Sequence, residues 1–76
     1  MTHMNGRVIG KRNKYGLLGQ KKYYIQVQFD RSFSRDGKDR YEYQVKADLY
    51  NQIVIDAAVR GEFEQVPEGL KPVYFY

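Results

Sequence analysis

The chain has 76 residues, no cysteine and no tryptophan, and its thirteen Lys and Arg against nine Asp and Glu give a formal charge of +4. That length accommodates one small domain, residues 1–76, near the lower limit of what folds unaided. The missing cysteines exclude a disulfide framework, a thiolate metal site and a Cys nucleophile, and the lone histidine, His3, cannot build a His-based triad or a multi-histidine metal site.

A composition of 42% hydrophobic and 16% aromatic residues is that of a folded chain rather than a disordered one. The charge is unevenly placed. Residues 1–29 hold six cations, Arg7, Lys11, Arg12, Lys14, Lys21 and Lys22, and no acid, whereas residues 30–76 carry seven cations and nine acids. Such a dipole can steer an anionic partner to one end, although a block of charge can equally do no more than solvate a loop. Ile53-Val54-Ile55 is the longest run of large aliphatics, far short of the ~20 residues a membrane-spanning helix needs. Met1–Asn5 lacks the apolar core of a signal peptide. The expectation is a soluble, cytoplasmic protein with residues 1–5 frayed.

In chain order, Gly6–Arg12 contains Arg7-Val8-Ile9-Gly10-Lys11, a short first strand. Asn13–Gln20 is punctuated by glycine and predicts a flexible loop. Its Leu17-Leu18 either folds back over the core or is offered to a partner. In Lys21–Arg31, Tyr23, Ile25, Val27 and Phe29 alternate with Lys22, Tyr24, Gln26 and Gln28, which predicts a half-buried strand. In Asp39–Ala47 the apolar face is Tyr41, Tyr43, Val45 and Ala47, opposite Arg40, Glu42, Gln44 and Lys46. Asp36-Gly37 marks the turn between them. Keeping both apolar faces on one side requires an even sum of paired residue numbers. A three-residue loop, Arg35-Asp36-Gly37, satisfies this and pairs Phe29 with Tyr43, Val27 with Val45 and Ile25 with Ala47.

Asp48 can cap a short helix or helical turn near residues 48–55, weakened by three consecutive β-branched residues. A strand over Ala58–Glu64, a turn over Val66–Pro72 and a closing strand, Val73–Tyr76, complete the chain. The fold class is therefore mainly β: a small closed or half-closed antiparallel barrel of four or five strands with one short helix, because a flat sheet of this size would leave an apolar face in water.

The order Val8-Ile9-x-Lys11, Tyr23-Tyr24-Ile25-x-Val27-x-Phe29, Tyr43-x-Val45, Tyr50-x-x-Ile53, Val59-x-Gly61-x-Phe63 resembles small β-barrel domains of the OB or SH3-like kind. It is especially similar to uncharacterised bacterial barrel domains with a Tyr between the hairpin and an outgoing strand. Those domains often carry Gly-Asp before the final valine, where this chain has Asp56-Ala57-Ala58-Val59. The resemblance spans residues 7–64 and implies a barrel; it implies no activity.

The residues point away from an enzyme. Glu62 and Glu64 share a strand face, where two carboxylates normally solubilise. Asp36 and Asp39 flank a glycine without the ligand run of a calcium loop, and Gly10, Gly16 and Gly19 match no phosphate loop. No metal or cofactor is expected. The leading expectation is a small adaptor acting through protein contacts, with a protein partner or a second copy. Leu17, Leu18, Phe33, Tyr74, Phe75 and Tyr76 are its candidate contact residues, with Arg31 and Arg35 beside the hairpin tip. The alternative is a single-stranded nucleic-acid binder, which combines cations for phosphates with aromatic platforms for bases. Its candidate residues are Lys11, Arg12, Lys14, Tyr15, Lys21, Lys22, Tyr24, Arg40 and Lys46.

Overall fold

The computed structural model describes residues 2–76. Five strands, β1 (Thr2–Tyr15), β2 (Lys21–Phe29), β3 (Arg40–Val45), β4 (Ala58–Val66) and β5 (Gly69–Phe75), form one antiparallel sheet in the order β3-β2-β1-β4-β5. A short helix, α1 (Ala47–Gln52), joins β3 to β4. The sheet curls until its two edges nearly meet. A bridge from Ser34 to Gly69 and a bond from Leu70 N–H to the Phe33 carbonyl (3.0 Å) tie the β2–β3 loop to β5. Further along the same gap the rings of Tyr43 and Phe75, 4.7 Å apart, span from β3 to β5. The result is a small, nearly closed barrel.

One long bent strand makes the curl. β1 pairs with β4 through residues 2–7 and with β2 through residues 6–15, so it belongs to both walls. A bulge at Ile9, between Val8 and Gly10, bends it and reverses its alternation. Before the bulge Met4 and Val8 point inward; beyond it Lys11 and Asn13 take the inner side and reach α1. The expected fraying is corrected here: residues 2–5 are paired with β4, and Met4 is a core residue. Met1 lies outside the described residues. Burial of Met4 and six ladder partners on β4 offset the entropy of ordering this end.

The core is aromatic at its centre. Phe63, Ile25, Val8 and Val27 are fully buried, and Phe29 packs edge-on to Phe63 at 4.8 Å and to Phe33 at 6.0 Å. Space for Phe29 comes from Gly61, since a Cβ there would strike the Phe29 ring. Tyr50 of α1 packs on Tyr23 at 4.9 Å, and Lys11 Nζ crosses the Tyr50 ring at 4.6 Å to donate to the Ile53 carbonyl (3.0 Å). This helical turn stoppers the barrel end beneath β1. Its N-cap is Lys46, with no side-chain cap bond, so the expected Asp48 cap is corrected: Asp48 sits in the first turn.

Two further corrections concern register. The β2–β3 ladder pairs Ile25 with Tyr43 and Val27 with Tyr41, a slip of four residues from the expected pairing with parity preserved. The cause is Phe33. Its ring turns into the core beside Phe29, Phe63 and Tyr41, which takes residues 30–39 out of the ladder and leaves a longer loop. Likewise β5 begins at Gly69, so residues 69–72 are strand rather than turn. Pro72 is accommodated at the irregularity between Glu62 and Phe63, where a ladder N–H is dispensable.

Candidate interaction surfaces

The expected flexible loop over residues 13–20 is instead a projecting β-hairpin. Lys11–Tyr15 pair residue for residue with Lys21–Ile25, and only Gly16–Gln20 form the turn. Alternation on this ribbon divides the nine nucleic-acid candidates. Arg12, Lys14, Lys22 and Tyr24 lie on the outer face, and parity places Arg40 on the same face of β3, with Lys46 continuing it just past the strand end. Lys11, Tyr15 and Lys21 take the other face, where Lys21 Nζ lies 5.9 Å from the Tyr15 ring and 5.7 Å from Tyr23. The six early cations therefore do not converge on one groove.

Two of those cations are committed inside the molecule. Lys11 serves the helix end, as described above. Arg12 makes a two-pronged bond to Glu42, with Nε to Oε2 and Nη2 to Oε1 both at 2.6 Å, and Gln26 Nε2 adds a third bond to Oε2 at 3.0 Å. The Arg12 guanidinium also lies 5.1 Å from the centre of the Tyr24 ring, and Lys14 Nζ lies 5.2 Å from it. At the opposite end of this face an open depression of about 570 Å³ is lined by Asp30, Asp39 and Asp56 with Arg7. The face thus runs from cationic to acidic.

Hydrogen bonding from Arg12, assisted by Gln26 and by the Arg12 and Lys14 charges, holds the Glu42 carboxyl below its ordinary value of 4.5. A carboxylate lowered on folding stabilises the fold above its unfolded value, and that contribution is lost as pH falls through the folded value. Both side chains are partly exposed, so the contribution is small. Glu42→Gln is expected to have a urea midpoint below wild type at neutral pH and to converge with it as pH falls below the ordinary carboxylate range. A difference that stays constant with pH would contradict this assignment.

The protein-contact candidates also divide. Phe33 is 7% exposed and belongs to the core, which corrects it as a contact residue, whereas Phe75 is half-buried and packs on Tyr43. Tyr74 (51% exposed) and Tyr76 (63%) face outward, Leu17 and Leu18 are fully exposed at the hairpin tip, and Arg31 and Arg35 are exposed in the β2–β3 loop. The two tyrosines frame a carboxylate. Glu62 pairs with His3 on β1 and with Tyr74 on β5, and its side chain is almost wholly sheltered. Oε1 lies 3.8 Å from His3 Nε2, while Oε2 is buried without a hydrogen-bond partner. Hydrogen bonding to the Glu62 carboxylate, reinforced by its charge, raises the Tyr74 phenol above its ordinary value, and His3 meets Tyr76 edge-on at 6.4 Å.

Sequence reasoning missed His3 and the burial of Glu62. Alternation placed Glu62 correctly opposite the core, but its shelter comes from flanking strands distant in sequence, which no local pattern reports. Among the described residues no helix is long and apolar enough to cross a membrane. No protein-family model matches the chain, and neither a curated protein nor a solved structure matches it.

Proposed function

We propose that the protein is a small adaptor module, without catalytic activity, that binds a protein partner at the Tyr74–Tyr76 patch. The observation that carries this reading is Glu62. A buried carboxylate oxygen without a partner is costly, and such groups call for an explanation beyond the fold itself. Here it stands on β4, framed by His3 on β1 and by two outward tyrosines at the end of β5, the edge strand of an incompletely closed sheet. Aromatic rings with polar tips are favoured at interfaces, and a donor from a partner would complete the carboxylate.

A photo-crosslinking phenylalanine analogue at position 76 tests this directly. The expected result is one discrete heavier species, absent when the analogue stands at exposed Gln52 and lost in Tyr74→Ser. Its mass distinguishes a second copy from a different protein. No adduct from position 76, or the same adduct from both positions, would overturn the reading.

A second reading rests on the outer face around Tyr24. The nearly closed five-stranded barrel is consistent with an OB-like fold, and OB-folds bind oligonucleotides across strands two and three and the adjoining loop. Arg12, Lys14, Lys22, Tyr24, Arg40 and Lys46 share that face. The Glu42 pairing and the three aspartates at its far end make it the less favoured reading, since they oppose a phosphate backbone along much of its length. It requires single-strand binding that weakens steeply as salt rises.

A further inference from the structure

The tip of the β1–β2 hairpin has chemistry that neither reading uses. Leu17 is 105% exposed and Leu18 92%, the two most exposed large apolar residues among those described. Leucines in such a position touch nothing in this molecule, so the core does not explain them. Three of the turn's backbone N–H groups are bonded within the molecule. Gly16 N–H donates to the Gln20 carbonyl (2.7 Å), Gly19 N–H to the Gly16 carbonyl (3.0 Å), and Leu18 N–H to the Gln20 side-chain Oε1 (3.1 Å). The Gln20 side chain folds over Gly16, where a Cβ would meet its Nε2 at 2.6 Å. A polypeptide entering hydrocarbon must satisfy its backbone groups internally, and this turn already satisfies three of its N–H groups.

The chemistry is graded along the arm. Behind the leucines stand Tyr15, 71% exposed, and its ladder partner Lys21, then the Lys14–Lys22 pair. No acidic residue lies between Lys11 and Gln28. At a rise of roughly 3.3 Å per residue the Lys14–Lys22 pair stands one ladder step further from the tip than Tyr15 and Lys21. A bilayer has the same order with depth: hydrocarbon, an interfacial zone favoured by aromatics, then headgroup phosphates.

We infer that the Leu17-Leu18 tip inserts shallowly into an anionic lipid bilayer, with Tyr15 at the interface and Lys14, Lys21 and Lys22 against the headgroup phosphates. The tip and the Tyr74–Tyr76 patch lie toward opposite ends of β1, since His3 at one end borders the patch and Tyr15 at the other borders the tip. A bilayer at the tip therefore leaves the patch open to a protein. Leucine burial supplies one signal and charge the other, and stable membrane attachment takes two such signals.

Leu18→Trp tests the inference, because the chain has no other tryptophan and the new side chain reports its own surroundings. With vesicles of phosphatidylcholine and phosphatidylserine, the expected result is a blue shift of emission and co-sedimentation, both much weaker with phosphatidylcholine alone. The double variant Leu17→Asn/Leu18→Asn should bind the mixed vesicles at least ~30-fold more weakly. Its unfolding curve should match wild type, because both positions are fully exposed. Unshifted emission at saturating mixed lipid, or undiminished binding by the Asn variant, would overturn insertion. So would a shift produced by a single-stranded oligonucleotide and not by vesicles, which would assign the tip to nucleic acid. The adaptor reading is scored separately, by the crosslink at position 76.

Discussion

Phe63→Ala is expected to remove about 3–5 kcal/mol of stability, the range for truncating a buried aromatic. Phe63 is fully buried and touches both Phe29 and Phe33, at ring distances of 4.8 and 5.6 Å, so its loss opens a cavity at the point where both walls and the β2–β3 loop meet. A chain this small has on the order of 4–11 kcal/mol in total. The variant should be largely unfolded in moderate urea, and its melting temperature should fall by roughly 15–30 °C. Phe75→Ala is the internal control. Phe75 is only half-buried at the barrel seam, so its truncation should cost clearly less. Equal losses at the two positions would mean that the core is not centred on Phe63.

Gly61→Val should be nearly as severe for the opposite reason. A Cβ at position 61 would strike the Phe29 ring, lying 2.7 Å from its Cζ and 3.2 Å from Phe63 Cε1. Both rings are wedged among other aromatics and have little room to give. Overpacking a tight core costs about 1–3 kcal/mol, and a branched side chain here should lie at or above the top of that range. Gly61→Ala should cost less than Val. Pairing it with Phe29→Leu should recover part of the loss, because the two positions share one volume and their effects cannot add. Thermal melts of the four proteins settle it; strict additivity would contradict the packing argument.

Much of the barrel could be read directly from alternation. Residues 23–29 and 41–45 have period-two patterns, and of the inward set chosen from them Ile25, Val27, Phe29 and Tyr43 are buried, Tyr23 and Val45 are half-buried, and Tyr41 is 40% exposed. Register was not legible in the same way. Parity excluded half the alignments, but a slip of four residues preserves parity, and the choice between them was made by Phe33 turning into the core. That choice depends on Phe63 and Phe29, brought together by strands about thirty residues apart.

The hairpin arm shows a similar limit. Glycine at 16 and 19 suggested a loose loop, whereas Gly16 makes room for the Gln20 side chain and Gly19, with φ of 81°, turns the chain tightly enough for the strands to pair almost to the tip. Leu17-Leu18 was correctly noticed as an oddity; that it touches nothing could be decided only by where the ribbon points.

The sequence by itself determined a small β domain, its main inward-facing residues, and the opposition between a cationic first third and a more acidic remainder. These follow from local alternation and composition, which need no knowledge of distant neighbours. Tertiary structure decided which cations remain available, since Glu42 engages Arg12 and the helix end takes Lys11. It also decided which aromatics are exposed, withdrawing Phe33 into the barrel, packing Phe75 on Tyr43 and leaving Tyr74 and Tyr76 around a sheltered Glu62. The physical reason is that availability is set by burial and pairing across the sheet. Both are properties of strands brought together by closure, not of the segments that form them.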